Sequence, residues 1–285
     1  MLIVPERLAV ACRGTPERRT WLGQLPDTIR ELQARWSLSL AGPFDGSEVT
    51  CSWVARATRA DGSRAVLKLG MPHMEAAHEL QALRFWDGDP TVRLLEDDVE
   101  LNAMLLECCE PGTALRELPE MDQDVVLAGL LRRLWRAPTA PHPFRPLSSM
   151  IESWAAETVA SCAGWLDAGL VQEGLRMLKQ LSLECSDDVL LATDLHAGNV
   201  LRARRKPWLA IDPKPFVGDR AFDATQHLFN CKPRILADPG ATIRRFADLL
   251  EVDSERVRLW MFARAAAEPR DLWTQDSAFL ARALA

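Results

Sequence analysis

The sequence predicts an α+β fold with two lobes, a small antiparallel β lobe that carries one helix and a larger helical lobe. Residues 38–110 contain short β-prone runs separated by turn residues, whereas apolar residues after Pro111-Gly112 recur at helical spacing. A chain of 285 residues is long enough for two such lobes. We place the boundary after residue 107, so that the lobes comprise residues 1–107 and 108–285.

Four β-prone runs and one helical run make up the predicted β lobe. In chain order they are residues 49–57, 65–69, 74–86 (the helix), 91–95 and 100–106. Residues 60–63, ADGS, predict the first hairpin turn, and the acidic residues 96–98 predict the second. We expect residues 1–38 to form a helical or irregular extension packed on this lobe.

One β-prone stretch interrupts the helical lobe. Apolar spacing predicts helices over residues 121–135, 148–166 and 170–183. The stretch LLATDLHAGNVL, residues 190–201, then sets Asp194, His196 and Asn199 between two aliphatic runs. Residues 208–211 predict a further strand, which Asp212 follows. A simple turn between strands would explain these polar residues, and a catalytic loop is the alternative.

Composition restricts the classes of function. Every apolar run is interrupted before the ~20 residues that a membrane helix needs. A net charge of −6 argues against general nucleic-acid binding and favours a cationic small-molecule substrate. We therefore expect a monomeric, cytoplasmic protein with no membrane or nucleic-acid partner. Seven cysteines without a CxxC pair fit a reducing compartment, and the adjacent Cys108 and Cys109 are better explained as buried thiols than as a metal or redox site.

The polar residues of the second lobe suit phosphoryl transfer. That reaction requires a cation on the nucleotide phosphates, oxygen ligands for magnesium, and a base that orients the attacking hydroxyl. Asp194 and Asn199 lie five positions apart, and Asp212 ends a strand further along. The two loops would bring one base and two oxygen ligands together, and oxygen ligands suit a hard cation such as magnesium.

The first lobe offers the required cation. Lys68 lies on the predicted strand 65–69, and Glu79 on the following helix is the carboxylate expected to hold it, with Glu75 as the alternative. A solvated strand lysine would be the simpler explanation if Lys68 stood alone. The later motifs favour the phosphate-binding role.

These motifs, in this order, resemble those of the aminoglycoside phosphotransferases, particularly the branch that contains streptomycin 6-phosphotransferases and hydroxyurea phosphotransferases. The residues that carry the resemblance are Lys68, 86–88 (WDG), 92–95 (VRLL), 194–201 (DLHAGNVL) and 208–214 (WLAIDPK). It covers roughly residues 38–270 and implies a protein-kinase-like fold. The family's usual His-Gly before the aspartate is Ala192-Thr193 here, so the support behind the loop differs.

The resemblance implies a role for each motif. Asp194 would be the catalytic base, and Asn199 and Asp212 the magnesium ligands. Lys68, paired with Glu79, would contact the α- and β-phosphates of ATP. GTP as the donor is not distinguished by these residues.

The resemblance also implies where the nucleotide binds. The backbone of residues 107–111, which include Glu107 and Cys109, would contact adenine, and residues 104–106 would pack against it. A loop at residues 42–47, which include Gly46 and Ser47, would cover the phosphates. An ordinary hairpin turn is the alternative for that loop.

The acceptor is expected between Asp194 and the helices that follow residue 223. Carboxylates around a cleft concentrate cations, and the candidates for its wall are Asp223, Glu268, Asp271, Glu157 and Trp154. They predict a hydroxyl-bearing cationic antibiotic: first a streptomycin-like aminocyclitol, second a basic cyclic peptide of the capreomycin or viomycin type. A solvated acidic helix face is the alternative for these residues.

Two other classes of function stay open. Asp, His and Asn also surround the metals of metallophosphoesterases, but those sites use several histidines, and the five here form no paired ligand motif. A non-catalytic binding protein on the same scaffold is the third possibility. The presence of the lysine, the base and both metal ligands favours the enzyme.

Overall fold

The computed structural model describes residues 3–45, 51–74, 77–161, 165, 167–184, 187–269 and 275–285. The chain divides into two compact units. The first comprises Met1–Thr113 and Leu201–Ile211, and the second comprises Ala114–Val200 and Asp212–Ala285. The division therefore falls after Thr113, where the sequence predicted it after residue 107, and the first unit also includes a segment from the second half of the chain.

Five strands form one antiparallel sheet in the first unit. They are β1 (Ser39–Pro43), β2 (Ser52–Thr58), β3 (Arg64–Gly70), β4 (Leu94–Asp98) and β5 (Ala103–Glu107). Their order across the sheet is β1-β2-β3-β5-β4. The turn between β2 and β3 holds Gly62 at φ +82°, a conformation that glycine adopts without steric cost.

The N-terminal segment packs on one face of this sheet. It forms the helices α1 (Glu6–Ala11) and α2 (Pro16–Arg35). Leu32 of α2 lies in one apolar core with Leu67 and Leu69 of β3. The predicted packing of residues 1–38 on the β lobe is confirmed.

The helix α3 (Glu79–Trp86) packs on the opposite face. Val66 of β3 shares a second apolar core with Leu80 and Leu83 of this helix. Alternate residues of a strand share a face, so Lys68, two residues after Val66, also points towards α3. The alternation of side chains along β3 thus directs the ammonium group of Lys68 towards α3.

The second hairpin turns later than the sequence predicts. Residues 96–98 belong to β4, and the turn occupies residues 99–102. Arg84 of α3 lies 2.6 Å from Asp97, and Arg35 of α2 contacts Asp98. Arginines from two helices neutralise the acidic run, so the strand continues through it.

The second unit is mainly helical. Its helices are α4 (Glu120–Leu134), α5 (Leu147–Ala160), α6 (Ala168–Leu183), α7 (Arg220–Asn230), α8 (Lys232–Ala237), α9 (Pro239–Leu250), α10 (Ser254–Ala267) and α11 (Gln275–Leu284). The first three correspond to the predicted helices, although α5 ends before residue 166. Within the described residues, no helix combines the length and the apolar character needed to cross a bilayer.

Short strands frame the loops that carry the polar motifs. The strand β6 (Val189–Leu191) pairs antiparallel with β9 (Phe216–Gly218). The strand β7 (Val200–Arg202) pairs with β8 (Trp208–Ala210), as a sequence with two short β-prone runs predicts. The motif loops therefore begin and end at paired strands.

The helix α10 packs closely on α6 and lies deep in the second unit. Trp260 and Ala263 of α10 are fully buried. Gly174 of α6 permits the close approach, because a Cβ atom there would lie 2.6 Å from the Cβ atom of Ala266. The tight packing holds α10 and the side chains that it carries in fixed positions.

A buried carboxylate joins four helices of the second unit. Asp124 of α4 contacts His227 of α7 at 2.8 Å, Arg234 of α8 at 2.6 Å and Arg245 of α9 at 3.1 Å. Burial alone raises the pKa of Asp124, but hydrogen bonds from Arg234 and His227 outweigh burial and lower the pKa to about 2. The carboxylate is therefore ionised whenever the protein is folded at neutral pH.

We expect Asp124 to make stability depend on pH. Because its pKa is lower when folded than its ordinary 3.8, its contribution is complete above pH 4 and is lost as the pH falls towards 2. Asp124→Asn should lower the free energy of unfolding at pH 6 by about 3 kcal/mol and weaken its decline between pH 4 and 2. Urea unfolding at several pH values measures both effects. The exposed Asp187→Asn is the control, and parallel curves for wild type and Asp124→Asn would contradict the assignment.

Candidate active site

Lys68 and Glu79 form a buried ion pair in the first unit. Nζ of Lys68 lies 2.6 Å from Oε1 and 2.7 Å from Oε2 of Glu79, and the two residues are 5% and 3% exposed. Each charge would be costly to bury without the other. The pairing with Glu79 is thus observed, whereas Glu75 lies outside the described residues. Contact of Lys68 with nucleotide phosphates stays a prediction.

A cavity of about 580 Å³ opens in the first unit beside residues 108–112. Leu40 of β1, Val66 of β3 and Leu201 form apolar parts of its wall, and residues 108–112 form one side. Its volume is in the range of small-molecule sites. Met104 is fully buried and does not line this cavity, and contact of residues 104–106 with adenine stays a prediction. Gly46 and Ser47 lie outside the described residues.

The carboxylate of Glu107 holds the segment 201–211 on the sheet of the first unit. It accepts hydrogen bonds from Nη2 of Arg205 at 2.8 Å and from the backbone N–H of Arg93 at 3.1 Å. Burial alone raises the pKa of Glu107, but these bonds outweigh burial and lower it. The side chain of Glu107 is therefore already engaged, and contact of its backbone with adenine stays a prediction.

Cys109 lines the same cavity and is partly buried. Burial raises the pKa of this thiol to about 12, so it stays protonated at neutral pH. A protonated thiol is a poor nucleophile and a poor metal ligand. The prediction of buried thiols is met only in part, because Cys108 and Cys109 are both partly buried.

Asp194 lies in the loop that follows β6. Its Oδ1 accepts a hydrogen bond from Nε2 of Gln226 at 2.7 Å, and its carbonyl oxygen accepts one from Nδ2 of Asn199 at 3.0 Å. Because Nδ2 is used inside the loop, the amide oxygen of Asn199 points elsewhere and suits a cation. His196 accepts a bond from the N–H of Gly198 and so supports the turn.

Asp212 follows β8 in the left-handed region, with φ +52°. Its Oδ1 lies 2.7 Å from Nζ of Lys214, which is buried. The backbone N–H of Lys214 donates to the carbonyl of Ala192, and the hydroxyl of Thr193 donates to the carbonyl of Lys214. These bonds tie the Asp212 loop to the Asp194 loop. A carboxylate and an amide oxygen are ligands that fit magnesium.

Asp223 supports the Asp194 loop from behind. It is 1% exposed and accepts hydrogen bonds from the backbone N–H groups of Ala192 and Thr193 and from the indole of Trp135, at 2.8–3.1 Å. Burial raises its pKa to about 6, although these bonds oppose the shift. We therefore correct its place: Asp223 is a support behind the loop and not a carboxylate of the cleft wall.

The other predicted acceptor residues lie in different surroundings. Glu268 pairs with Arg264 at 2.8 Å, and Trp154 is buried under the same guanidinium, whose carbon lies 5.4 Å from its ring centre. Glu157 is exposed on α5. Asp271 lies outside the described residues. Their contact with an acceptor stays a prediction.

Sequence reasoning missed Gln226, which contacts the predicted base. Gln226 follows Asp223 by three positions on α7, a spacing that places both on one face of a helix. That spacing was the available signal.

We expect Asp223→Asn to weaken catalysis because the loop that carries Asp194 loses part of its support. An asparagine keeps only one acceptor oxygen, so its NH₂ group would face the backbone N–H group of residue 192 or of residue 193, and kcat should fall about 100-fold. Steady-state kinetics measure this effect. Asp124→Asn is the matched control because it also removes a buried carboxylate, but one whose partners lie on α7, α8 and α9. An equal fall in both variants would indicate a general loss of folding instead.

Known proteins are similar to most of the chain. Residues 35–276 match the family described as aminoglycoside/hydroxyurea antibiotic resistance kinase. The chain is 39% identical to a streptomycin 6-kinase of Streptomyces griseus, with 92% of this chain and 88% of that protein covered. It is 37% identical to a hydroxyurea phosphotransferase of Kitasatospora aureofaciens, with 88% and 74% covered.

Solved structures show the same fold at low sequence identity. A choline kinase, LicA, from Streptococcus pneumoniae superposes with a TM-score of 0.63 at 14% identity, with 92% of this chain and 99% of that chain covered. The predicted α+β, protein-kinase-like fold is confirmed. Together with the match over residues 35–276, these findings show that the chain belongs to the aminoglycoside/hydroxyurea antibiotic resistance kinase family and is a phosphotransferase.

Proposed function

We propose that the protein is an ATP-dependent kinase that phosphorylates a hydroxyl group of a streptomycin-like aminocyclitol and thereby inactivates it. The observation that carries the kinase mechanism is the pair of tied loops that present Asp194, Asn199 and Asp212. The observation that favours this acceptor is the similarity to streptomycin 6-kinases over nine-tenths of the chain.

Asp194 is the proposed base. Its carboxylate is held by Gln226 and would accept the proton of the acceptor hydroxyl as the phosphoryl group is transferred. Asn199 and Asp212 would hold magnesium, which when bound neutralises charge on the phosphate oxygens. Lys68 would contact the phosphates, with Glu79 fixing the position of its ammonium group.

The cavity beside residues 108–112 is the proposed adenine site. Val66 and Leu201 supply apolar surface, residues 108–111 line the same cavity, and the backbone of residues 107–111 would supply hydrogen-bonding groups. ATP is the proposed donor.

The net negative charge of the protein supports a cationic acceptor, although fewer of the predicted carboxylates are available to attract a cation than the sequence indicates. The protein carries a net charge of −6, and Glu157 is exposed on α5. Asp223 is buried, and Glu268 is neutralised by Arg264. Hydroxyurea, which is small and neutral, is the second candidate because a hydroxyurea phosphotransferase is 37% identical.

We expect Asp212 and Asp194 to affect different steps. Asp212→Asn should weaken magnesium-dependent ATP binding and nearly abolish transfer, because charge on the phosphate oxygens loses its counter-charge. Asp194→Ala should lower kcat by about 10²–10⁴-fold with little effect on ATP binding. Calorimetry with magnesium and ATP, together with steady-state kinetics, separates the two. Unchanged ATP affinity in Asp212→Asn, or wild-type kcat in Asp194→Ala, would overturn the corresponding role.

We expect streptomycin to be phosphorylated in a panel that also contains capreomycin, viomycin and hydroxyurea. A coupled assay with ATP detects turnover, and mass spectrometry detects a single added phosphate. EDTA should abolish the reaction, and excess magnesium should restore it. Phosphorylation of hydroxyurea alone would reject the cationic acceptor and leave the kinase assignment intact.

A further inference from the structure

We propose that Gln226 is a positioning residue for the catalytic base Asp194, and that Arg264 fixes which end of the Gln226 amide faces that base. This inference rests on the proposed role of Asp194 in the kinase reaction. It assigns a task to α7 and α10 that neither the motifs nor the relatives' names indicate.

The two ends of the Gln226 side chain contact groups of opposite character. Nη2 of Arg264 lies 2.9 Å from Oε1, and Oδ1 of Asp194 lies 2.7 Å from Nε2. A guanidinium only donates hydrogen bonds, and an ionised carboxylate only accepts them. A flipped amide would place its NH₂ group against the guanidinium and its oxygen against the carboxylate. Both contacts would be repulsive, so Arg264 fixes the amide as a donor to Asp194.

Arg264 is itself held in place. Its Nε and Nη2 donate to Oε2 and Oε1 of Glu268 at 2.8 and 3.1 Å, and its Nη1 donates to the hydroxyl of Thr225. The guanidinium carbon also lies 4.9 Å from the ring centre of Phe222 and 5.1 Å from that of Phe229. These contacts come from α7 and α10, which pack against each other. The guanidinium is therefore a rigid reference for the amide.

The result is a continuous chain of polar contacts from Glu268 through Arg264 and Gln226 to Asp194. The last contact holds Oδ1 and so sets the plane of the carboxylate. An acceptor hydroxyl must meet the base in a defined direction for in-line transfer, and an error of about 1 Å can cost about 100-fold in rate. Gln226 therefore acts on kcat through the direction of the base.

Two nearly isosteric substitutions test this role. Gln226→Met removes both polar ends, whereas Gln226→Glu keeps an acceptor for Arg264 but removes the donor to Asp194. With streptomycin and magnesium ATP as probes, both should lower kcat about 10- to 100-fold and change the KM for ATP less than about twofold, since neither alters the proposed nucleotide contacts. Gln226→Glu with wild-type kcat would show that Gln226 only supports Arg264, and would overturn the proposal.

The chain offers a matched control on α6. Gln180 also bridges an arginine and a carboxylate, Arg176 at 2.8 Å and Glu184 at 3.3 Å, but it is exposed. Gln180→Met should keep the wild-type kcat. An equal loss in Gln180→Met and Gln226→Met would show an unspecific effect and overturn the proposal.

A spectroscopic readout needs no acceptor. The side-chain amide resonances of Gln226 are identified in a ¹⁵N-labelled protein by their loss in Gln226→Met. In Asp194→Ala the amide proton that faced the carboxylate should move upfield, because its charged partner is gone. Unchanged Gln226 resonances would overturn the contact. If the Gln226 resonances do not change and Asp194→Ala also keeps the wild-type kcat, the role of Asp194 as base is rejected as well. If the resonances move, Asp194→Ala is inactive and Gln226→Met is fully active, only the positioning role of Gln226 is rejected.

Discussion

The loop that carries Asp194 keeps its shape because one buried carboxylate accepts hydrogen bonds from its backbone. Thr193, directly before the proposed base, has φ +44°, a conformation that costs a β-branched residue about 1–2 kcal/mol. Asp223 accepts the N–H group of this residue, and the Thr193 hydroxyl donates to the carbonyl of Lys214. The strained residue is thus bound on two sides, and the loop before Asp194 and the loop after Asp212 are held as one body.

Local patterns predicted much of the fold and single out the residues that are proposed to react. The Asp-Gly pair at residues 61–62 forms the predicted hairpin turn, because turn chemistry depends on neighbours in sequence. The helices α4 and α6 follow from apolar spacing. The proposed base Asp194 and the proposed metal ligands Asn199 and Asp212 stand out in the sequence because the loops that carry them are short and end at strands.

Tertiary partners account for what the sequence could not predict. Residues 96–98 have the composition of a turn, but arginines from α2 and α3 hold them in a strand. Asp223 was assigned to the cleft because one carboxylate in a helix does not reveal which way it faces. Its partners at residues 192 and 193 lie some thirty positions earlier. Glu268 likewise counts as an acid in the sequence, whereas in the fold Arg264 cancels its charge.

The ion pair between Glu107 and Arg205 affects where the chain could be cut into separate pieces. The segment Leu201–Ile211 belongs to the first unit, although the residues on both sides of it, Asn199 and Asp212, belong to the second. Neither unit is therefore a continuous piece of chain, and a cut after Thr113 would leave the partly buried carboxylate of Glu107 without the guanidinium of Arg205. The two proposed metal ligands are separated in sequence by a segment that completes the other unit. Folding of the first unit is consequently tied, through the covalent chain, to the spacing of the residues that are proposed to hold the metal.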